Sequence, residues 1–378
     1  MGGCATKPES VNTTFPEKPN IVFILANHLS VKDLGCYGQQ TILTPNIDDV
    51  AANGIRFNNY HIVTETSRMN REILLFGDLL PHGNKAKPGN NNNILPDTLH
   101  SLAKKLKGAG YVSGIYGIWG FGSNQQDFMP KNNGFNDFIG YCTMEQTNNT
   151  FPEFLFCDSE KIQLGNILNT ADLDKKSGGT YTSSKVDYSN DIFFREAIRF
   201  IKENKDTSFF LFLPFAMPQV NPHAPEGQGY EVPDLSPYKN KPWDNEKKAL
   251  AAMVTRLDVY VGKIVRLLVE SGIDKNTLVI FTSNSPISPH LIDNTQYFTA
   301  RDENKSELNQ LKVPLLMLWT NTIESGKVLN YGSTSHDIYP TILDIIGIEA
   351  GFDNPGKSLL PKIIGKSDAR VLPEQENQ

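Results

Sequence analysis

Three short polar runs, each behind an apolar one, hold the side chains in this sequence that could do chemistry. Asn27-His28 follows Ile21–Ala26, Pro218-Gln219 lies shortly behind Phe209–Leu213, and Thr282-Ser283-Asn284-Ser285-Pro286 follows Thr277–Phe281. Amides, hydroxyls and one imidazole can hydrogen-bond a ligand. A hard divalent cation, however, needs several anionic oxygens to offset its dehydration, and these runs are nearly free of carboxylates. On the residues alone, a ligand pocket and a set of polar loop caps stand equally open.

The elements that must position these runs follow from the spacing of apolar residues. Ile21–Leu25 reads as a buried strand, and Thr44-Pro45-Asn46-Ile47-Asp48 opens a helix, with Thr44 as its cap and Gly54 at its end. A helix over 97–108 precedes a strand over 111–116, and a helix over 189–203 leads into the wholly apolar Phe209–Leu213. Leu250, Met253, Leu257, Val261, Ile264 and Leu268, at steps of three and four, mark a long helix within 244–272. Strands over 277–281 and 313–319 and a helix over 335–347 complete the pattern. Strands apolar on both faces and alternating with helices predict an α/β fold, a mainly parallel central sheet with helices on both faces. In such sheets ligands bind beyond the carboxyl ends of the strands, where the three polar runs fall. Residues 87–93 and 142–188 read as loops or excursions over the sheet edge.

Composition narrows the function. The 378 residues are 39% hydrophobic and 21% charged, which fits a globular chain with a sizeable core. With 36 basic against 42 acidic residues the net charge is −6, so a phosphate-seeking surface is not indicated and nucleic acid is not an expected partner. No apolar run approaches the roughly 18 residues that cross a bilayer. Cys4, Cys36, Cys142 and Cys157 are too few and too irregularly spaced for a disulfide scaffold or a zinc site, although one Cys142–Cys157 bridge stays open. Met1-Gly2-Gly3-Cys4 fits a myristoylation pattern and also the end of a bacterial lipoprotein signal. The reading carried forward is a lipid tether at Cys4 on a flexible segment 1–17, hence a periplasmic or cell-envelope location. Residues 18–361 then form one domain, with a polar tail over 362–378.

Lys18-Pro-Asn-Ile-Val-Phe-Ile-Leu-Ala26, Asp33-Leu-Gly-Cys-Tyr-Gly38, Thr44-Pro-Asn-Ile-Asp48, Ala52-Asn-Gly-Ile-Arg-Phe57, Phe209–Leu213, Thr277-Leu-Val-Ile-Phe-Thr-Ser283, Lys312-Val-Pro-Leu315 and Gly356-Lys-Ser-Leu-Leu-Pro361 keep their order along the chain. Together they resemble the landmarks of the sulfatase family, in its bacterial arylsulfatase-like branch. The resemblance implies an alkaline-phosphatase-like α/β sandwich, with the family's C-terminal subdomain reduced or missing after Pro361. It also implies a formylglycine nucleophile made from Cys or Ser, a calcium or magnesium ion, and Lys, His and Arg groups that neutralise sulfate.

Carried over residue by residue, that chemistry mostly fails. Asn27 and His28 stand where the family has two metal-binding Asp, and the Ser-Asp-Asn-Gly metal motif reads Ser283-Asn284-Ser285-Pro286. The nucleophile signature falls on Ser67-Arg68-Met69-Asn70-Arg71. Ser67 and Arg71 match it, while Met69 and Asn70 depart from it and count against recognition by a formylglycine-forming system. Ile118 replaces the sulfate-binding Lys, Gln146 and Asn148 fall where the branch has His, and Gln219 follows Pro218 where His is expected, unless Pro222-His223 is that motif after a small insertion. The expected Lys before Val313 falls near Glu303, with Lys305 close by. Without acids the ion should be absent, and a serine with neither metal nor an adjacent base is a weak nucleophile.

The leading expectation is therefore a pseudo-sulfatase: no cofactor, no sulfate-ester hydrolysis, and a pocket that binds a sulfated carbohydrate or an aryl sulfate. The alternative is an active hydrolase using Ser67, or formylglycine made from it, with His28, Asn27 and Asn284 around a softer metal such as zinc. A purely structural lipoprotein is the third. Asn27, His28, Ser67, Arg71, Asn284 and Ser285 should in any case converge in one pocket.

Overall fold

The computed structural model describes residues 16, 18–79, 101–122, 129–169, 180–286, 311–351 and 354–365. Cys4, residues 87–93, Glu303, Lys305 and most of the polar tail lie outside them. Ten strands form the main sheet: β1 (Asn20–Ala26), β2 (Ile55–Phe57), β3 (Val112–Ile118), β4 (Asp137–Tyr141), β5 (Phe154–Cys157), β6 (Glu160–Gln163), β7 (Phe209–Pro214), β8 (Thr277–Ser283), β9 (Leu315–Leu318) and β10 (Lys327–Leu329). Their spatial order is β10-β2-β9-β8-β1-β7-β3-β4-β5-β6. The five central strands, β8 to β4, are parallel; β9, β5 and β6 each run antiparallel to the strand on their inner side. Two further two-stranded ribbons lie apart from this sheet.

Period-two alternation divides the core. Along β1, Val22, Ile24 and Ala26 face one apolar layer and Ile21, Phe23 and Leu25 the other. The first layer is closed by α1 (Pro45–Asn53), α4 (Ser189–Asn204) and α5 (Asn245–Glu270), and the second by α2 (Ser67–Phe76), α3 (Leu102–Gly108) and α6 (Ile338–Ile345). Helices on both faces explain why the central strands are mostly apolar on both faces. Among the described residues no helix is long and apolar enough to cross a membrane.

Several expectations need correction. The 142–188 span contains β5, β6 and one of the small ribbons, whose short strands mix polar and apolar residues at a sheet edge. Cys142 and Cys157 are both free thiols. Cys142 belongs to the second apolar layer, its Sγ against Met129, while Cys157 lies opposite Ile139, which packs on the first, so the sheet separates them. Thr44 does not cap α1 with its side chain; its Oγ1 accepts from the Gly35 N–H. The cap comes from α5, where Asp258 accepts from the Ile47 N–H at 2.7 Å. The 335–347 helix begins with a 3-10 turn over Ser335–Asp337, held by a Thr334–Asp337 capping box, before α6.

The segment leaving β1 is pinned by Asp33, a fully buried carboxylate that accepts from the Ser30 N–H at 2.8 Å and whose Oδ1 has no hydrogen-bond partner among the described residues. Burial pushes its pKa up to about 7, against the Ser30 N–H and the Lys32 charge, which pull it down. A carboxyl raised in the folded state contributes stability that is full below its unfolded pKa and is lost as pH rises through 7. Asp33→Asn should therefore raise the melting temperature at pH 8 by about 2–4 °C, a gain that shrinks as pH falls toward 4. Scanning calorimetry across that range checks it; a gain independent of pH would remove Asp33 as the cause.

Candidate active site

Because β1, β7, β3 and β8 are parallel, their carboxyl ends share one edge of the sheet. Ala26 of β1 lies opposite Ser283 of β8, so Asn27 and Asn284 leave the sheet side by side, and the Asn284 N–H donates to the Ala26 carbonyl at 3.0 Å. Across β1 on its other side, the Asn27 N–H donates to the Met217 carbonyl behind β7. The strand ends are further braced by Ser283 Oγ, which accepts from the Leu29 N–H at 3.0 Å and donates to the Ser285 carbonyl at 2.7 Å.

Hydrogen bonds bring most of the expected residues together. Ser67 Oγ lies 3.0 Å from Ser285 Oγ, which lies 2.8 Å from His28 Nδ1 and donates to Asn284 Oδ1 at 3.2 Å in the alternative rotamer of its hydrogen. His28 has φ 54°, the left-handed region that few residues other than Gly, Asn and Asp enter, so the chain bends sharply just after β1. Asn27 Nδ2 donates to Gln219 Oε1, and Gln219 Nε2 reaches Asn148 Oδ1 at 3.3 Å, so these three form a second chain on the β7 side.

Other expected residues are placed differently. Gln146 Oε1 accepts from the Cys142 and Thr143 N–H groups and serves its own turn. His223 is half-buried, and among the described residues no hydrogen bond joins its ring to the cluster; Gln219 is the one bonded into it. Ile118 is buried in the first apolar layer. Asn70, which the sequence offered only as a departure from a motif, ties α2 to the strand ends: its Nδ2 donates to the Asn284 carbonyl at 2.9 Å.

Ser67 opens α2, and Arg71 follows one turn later on the same face. Arg71 is fully buried. Its Nη2 meets Met144 Sδ at 2.7 Å and its guanidinium lies over the Phe121 ring, while Nε and Nη1 have no hydrogen-bond partner among the described residues. Burial pulls its pKa down to about 9, with Arg68 adding and Glu72 opposing. Gly120, at φ 76°, lets the backbone pass directly against this guanidinium; a Cβ there would collide with Nη2. His28 is pushed down to about 4, chiefly by burial, with the Pro286 backbone opposing and the Arg71 charge adding, so the imidazole is neutral at physiological pH.

The calcium or magnesium implied by the family resemblance does not fit this donor set. The groups at the strand ends are carboxamides, hydroxyls and one imidazole, and the charge acting on that imidazole among the described residues is the Arg71 guanidinium, of the wrong sign for a cation site. Among the described residues no three His, Cys, Asp or Glu side chains come together to hold a metal ion, which also leaves zinc with a single imidazole.

The mainly parallel sheet covered by helices on both faces, with a hydroxyl at a helix start beside the strand ends, matches the alkaline-phosphatase-like fold of solved sulfatase structures. Within it the chain belongs to the sulfatase family: the family model named Sulfatase matches residues 19–348. The dog (Canis lupus familiaris) N-acetylgalactosamine-6-sulfatase is 26% identical over 370 residues, covering 93% of this chain and 67% of that protein, so the chain spans about two thirds of this relative's length. A crystal structure of Ps i-CgsB in complex with k-i-k-neocarrahexaose has the same fold, with a TM-score of 0.71 at 23% identity over 92% of this chain and 76% of that one. A structure described as bound to its substrate, D-glucosamine-2-N,6-O-disulfate, matches with a TM-score of 0.66 at 19% identity over 92% and 81%.

Proposed function

We propose that this sulfatase-family chain binds a sulfated carbohydrate in the pocket at the strand ends and has lost sulfate-ester hydrolysis. The observation that carries the reading is the charge of the site among the described residues: a fully buried Arg71 with two nitrogens that lack a hydrogen-bond partner, and amides, hydroxyls and a neutral imidazole in place of carboxylates. An anion satisfies such a guanidinium by charge-assisted hydrogen bonds. Hydrolysis of a sulfate monoester brings an alkoxide toward an anion and needs added positive charge in the transition state, several kcal/mol of stabilisation that a metal ordinarily supplies. The sulfated hexosamine of the structural neighbour and the sulfatase relatives support a sulfated sugar as the ligand class.

A chromogenic aryl sulfate should show no turnover above that of Ser67→Ala, with calcium, magnesium or zinc added in turn. A sulfated hexosamine should raise the melting temperature, and its unsulfated counterpart should not. Turnover that disappears in Ser67→Ala overturns the loss of hydrolysis; equal melting shifts with both sugars overturn sulfate as the recognised group.

A further inference from the structure

The hydrogen-bonded chain Ser67–Ser285–His28 joins a helix-start hydroxyl to an imidazole. Its geometry contradicts the expectation that Ser67 lacks a base: an imidazole is reached through one intervening hydroxyl, over steps of 3.0 and 2.8 Å. In the tautomer that leaves His28 Nδ1 bare, Ser285 donates to Nδ1 and must accept from Ser67, since a hydroxyl has one hydrogen. Both outer members are held in place, His28 by its left-handed backbone at the end of β1 and Ser67 as the first residue of α2.

We propose that Ser67, Ser285 and His28 form a metal-independent proton relay that makes Ser67 a nucleophile toward carboxylic esters. As Ser67 Oγ attacks the ester carbonyl, its proton passes to Ser285 and that of Ser285 passes to His28 Nδ1. The new bond joins Oγ to the carbonyl carbon, and the displaced π pair rests on the carbonyl oxygen. Collapse expels the alcohol's oxygen, which takes the proton back along the relay. Water then attacks the acyl-serine by the same path, frees the carboxylic acid and restores Ser67.

A carbonyl suits this pocket where a sulfate ester does not. The electrophile is neutral and its tetrahedral intermediate carries one negative charge, at the positive end of a ten-residue helix whose Thr66 makes no side-chain cap bond. Arg71, on the next turn of the same face, would favour an acyl ester whose alcohol also bears an anion. That preference rests on the sulfate-binding reading; the relay does not.

The test uses a neutral fluorophosphonate and p-nitrophenyl acetate, both in chelator, so failure of the relay and failure of sulfate binding are separable. Expected is a phosphonyl adduct on the Ser67 peptide, formed as Oγ displaces fluoride, together with ester turnover, both abolished in Ser67→Ala. Ser285→Ala and His28→Asn should slow both at least about tenfold, a minimum beside the hundredfold or more typical of a lost general base. Asn is chosen because it tolerates positive φ, and Ser285→Thr should restore the rate. Labelling no faster than in Ser67→Ala, an adduct on Ser285 instead, or a rate unchanged in Ser285→Ala each overturns the proposal. Melting curves identify any variant that fails to fold, and the Ala-to-Thr comparison at 285 then decides.

Discussion

Changing Asn27, His28 and Asn284 together to Asp makes folding depend on calcium. In chelator the triple variant melts about 10 °C or more below the parent, taking about 1–3 kcal/mol for each buried group left uncompensated and about 2–4 °C for each kcal/mol. The cause is geometric. Asn27 and Asn284 leave adjacent strands in register, and His28 faces Ser285 beside Asn284, so three carboxyls would crowd one point at the strand ends. There they repel one another or take up protons at raised pKa, and the Asn27→Asp change also removes the donor that reaches Gln219. A cation that binds only the folded state recovers the loss by mass action. The parent, which offers that point no carboxylate, should show no calcium shift. Thermal melts of both proteins, in chelator and in millimolar calcium, make the comparison. Equal shifts in the two would mean that these positions do not share a metal site, and the residue correspondence with the family would fall.

How much of this was legible beforehand follows from what each residue contacts. The central strands were readable because both faces are buried, so Ile21–Ala26 and Phe209–Leu213 are apolar without interruption. α5 was readable because its apolar residues repeat at helical spacing along one buried stripe. α2 was not: its first six residues, Ser-Arg-Met-Asn-Arg-Glu, break the apolar pattern although Asn70, Arg71 and Glu72 are fully buried. A helix that buries polar side chains looks, by periodicity, like a loop. The edge strands β5 and β6 escaped for the opposite reason, since β6 is exposed along its length and carries no buried face to alternate.

For the site, the polar runs behind the strands offered Asn27, His28, Asn284 and Ser285, which the structure brings close together. Hydrogen bonds bring Ser67 to them directly, and Asn70 joins α2, which carries Arg71, to the Asn284 carbonyl. What a one-dimensional pattern could not carry was the link between Ser67 and His28. It runs through Ser285, 218 positions from Ser67 and 257 from His28, and exists only because β1 and β8 are neighbours. Whether Gln219 or His223 meets the strand ends was likewise a matter of where the chain turns after β7, and it is Gln219 that Asn27 hydrogen-bonds.

Replacing Arg71 with Met should abolish recognition of the sulfate group while leaving the ligand-free protein at least as stable. The guanidinium is fully buried; among the described residues it meets the Met144 sulfur, the Phe121 face and the Gly120 backbone, and two of its nitrogens have no hydrogen-bond partner. A buried charge so poorly satisfied is costly, and an apolar side chain of similar length removes the desolvation term while filling the space beside Gly120. Glu72 keeps its ion pair with Arg68, at 3.4 Å, so the substitution does not strand that carboxylate. Binding behaves oppositely. Charge-assisted hydrogen bonds to a desolvated anion contribute about 1.5–3 kcal/mol each, so losing them should weaken a sulfated hexosamine about 100-fold. Arg71→Lys should fall between, because an ammonium keeps the charge and loses the planar fork. Calorimetric titration and melting curves on the three proteins read both effects. An Arg71→Met variant that melts several degrees lower without ligand would show the guanidinium to be a structural anchor, and undiminished affinity in it would place the sulfate elsewhere.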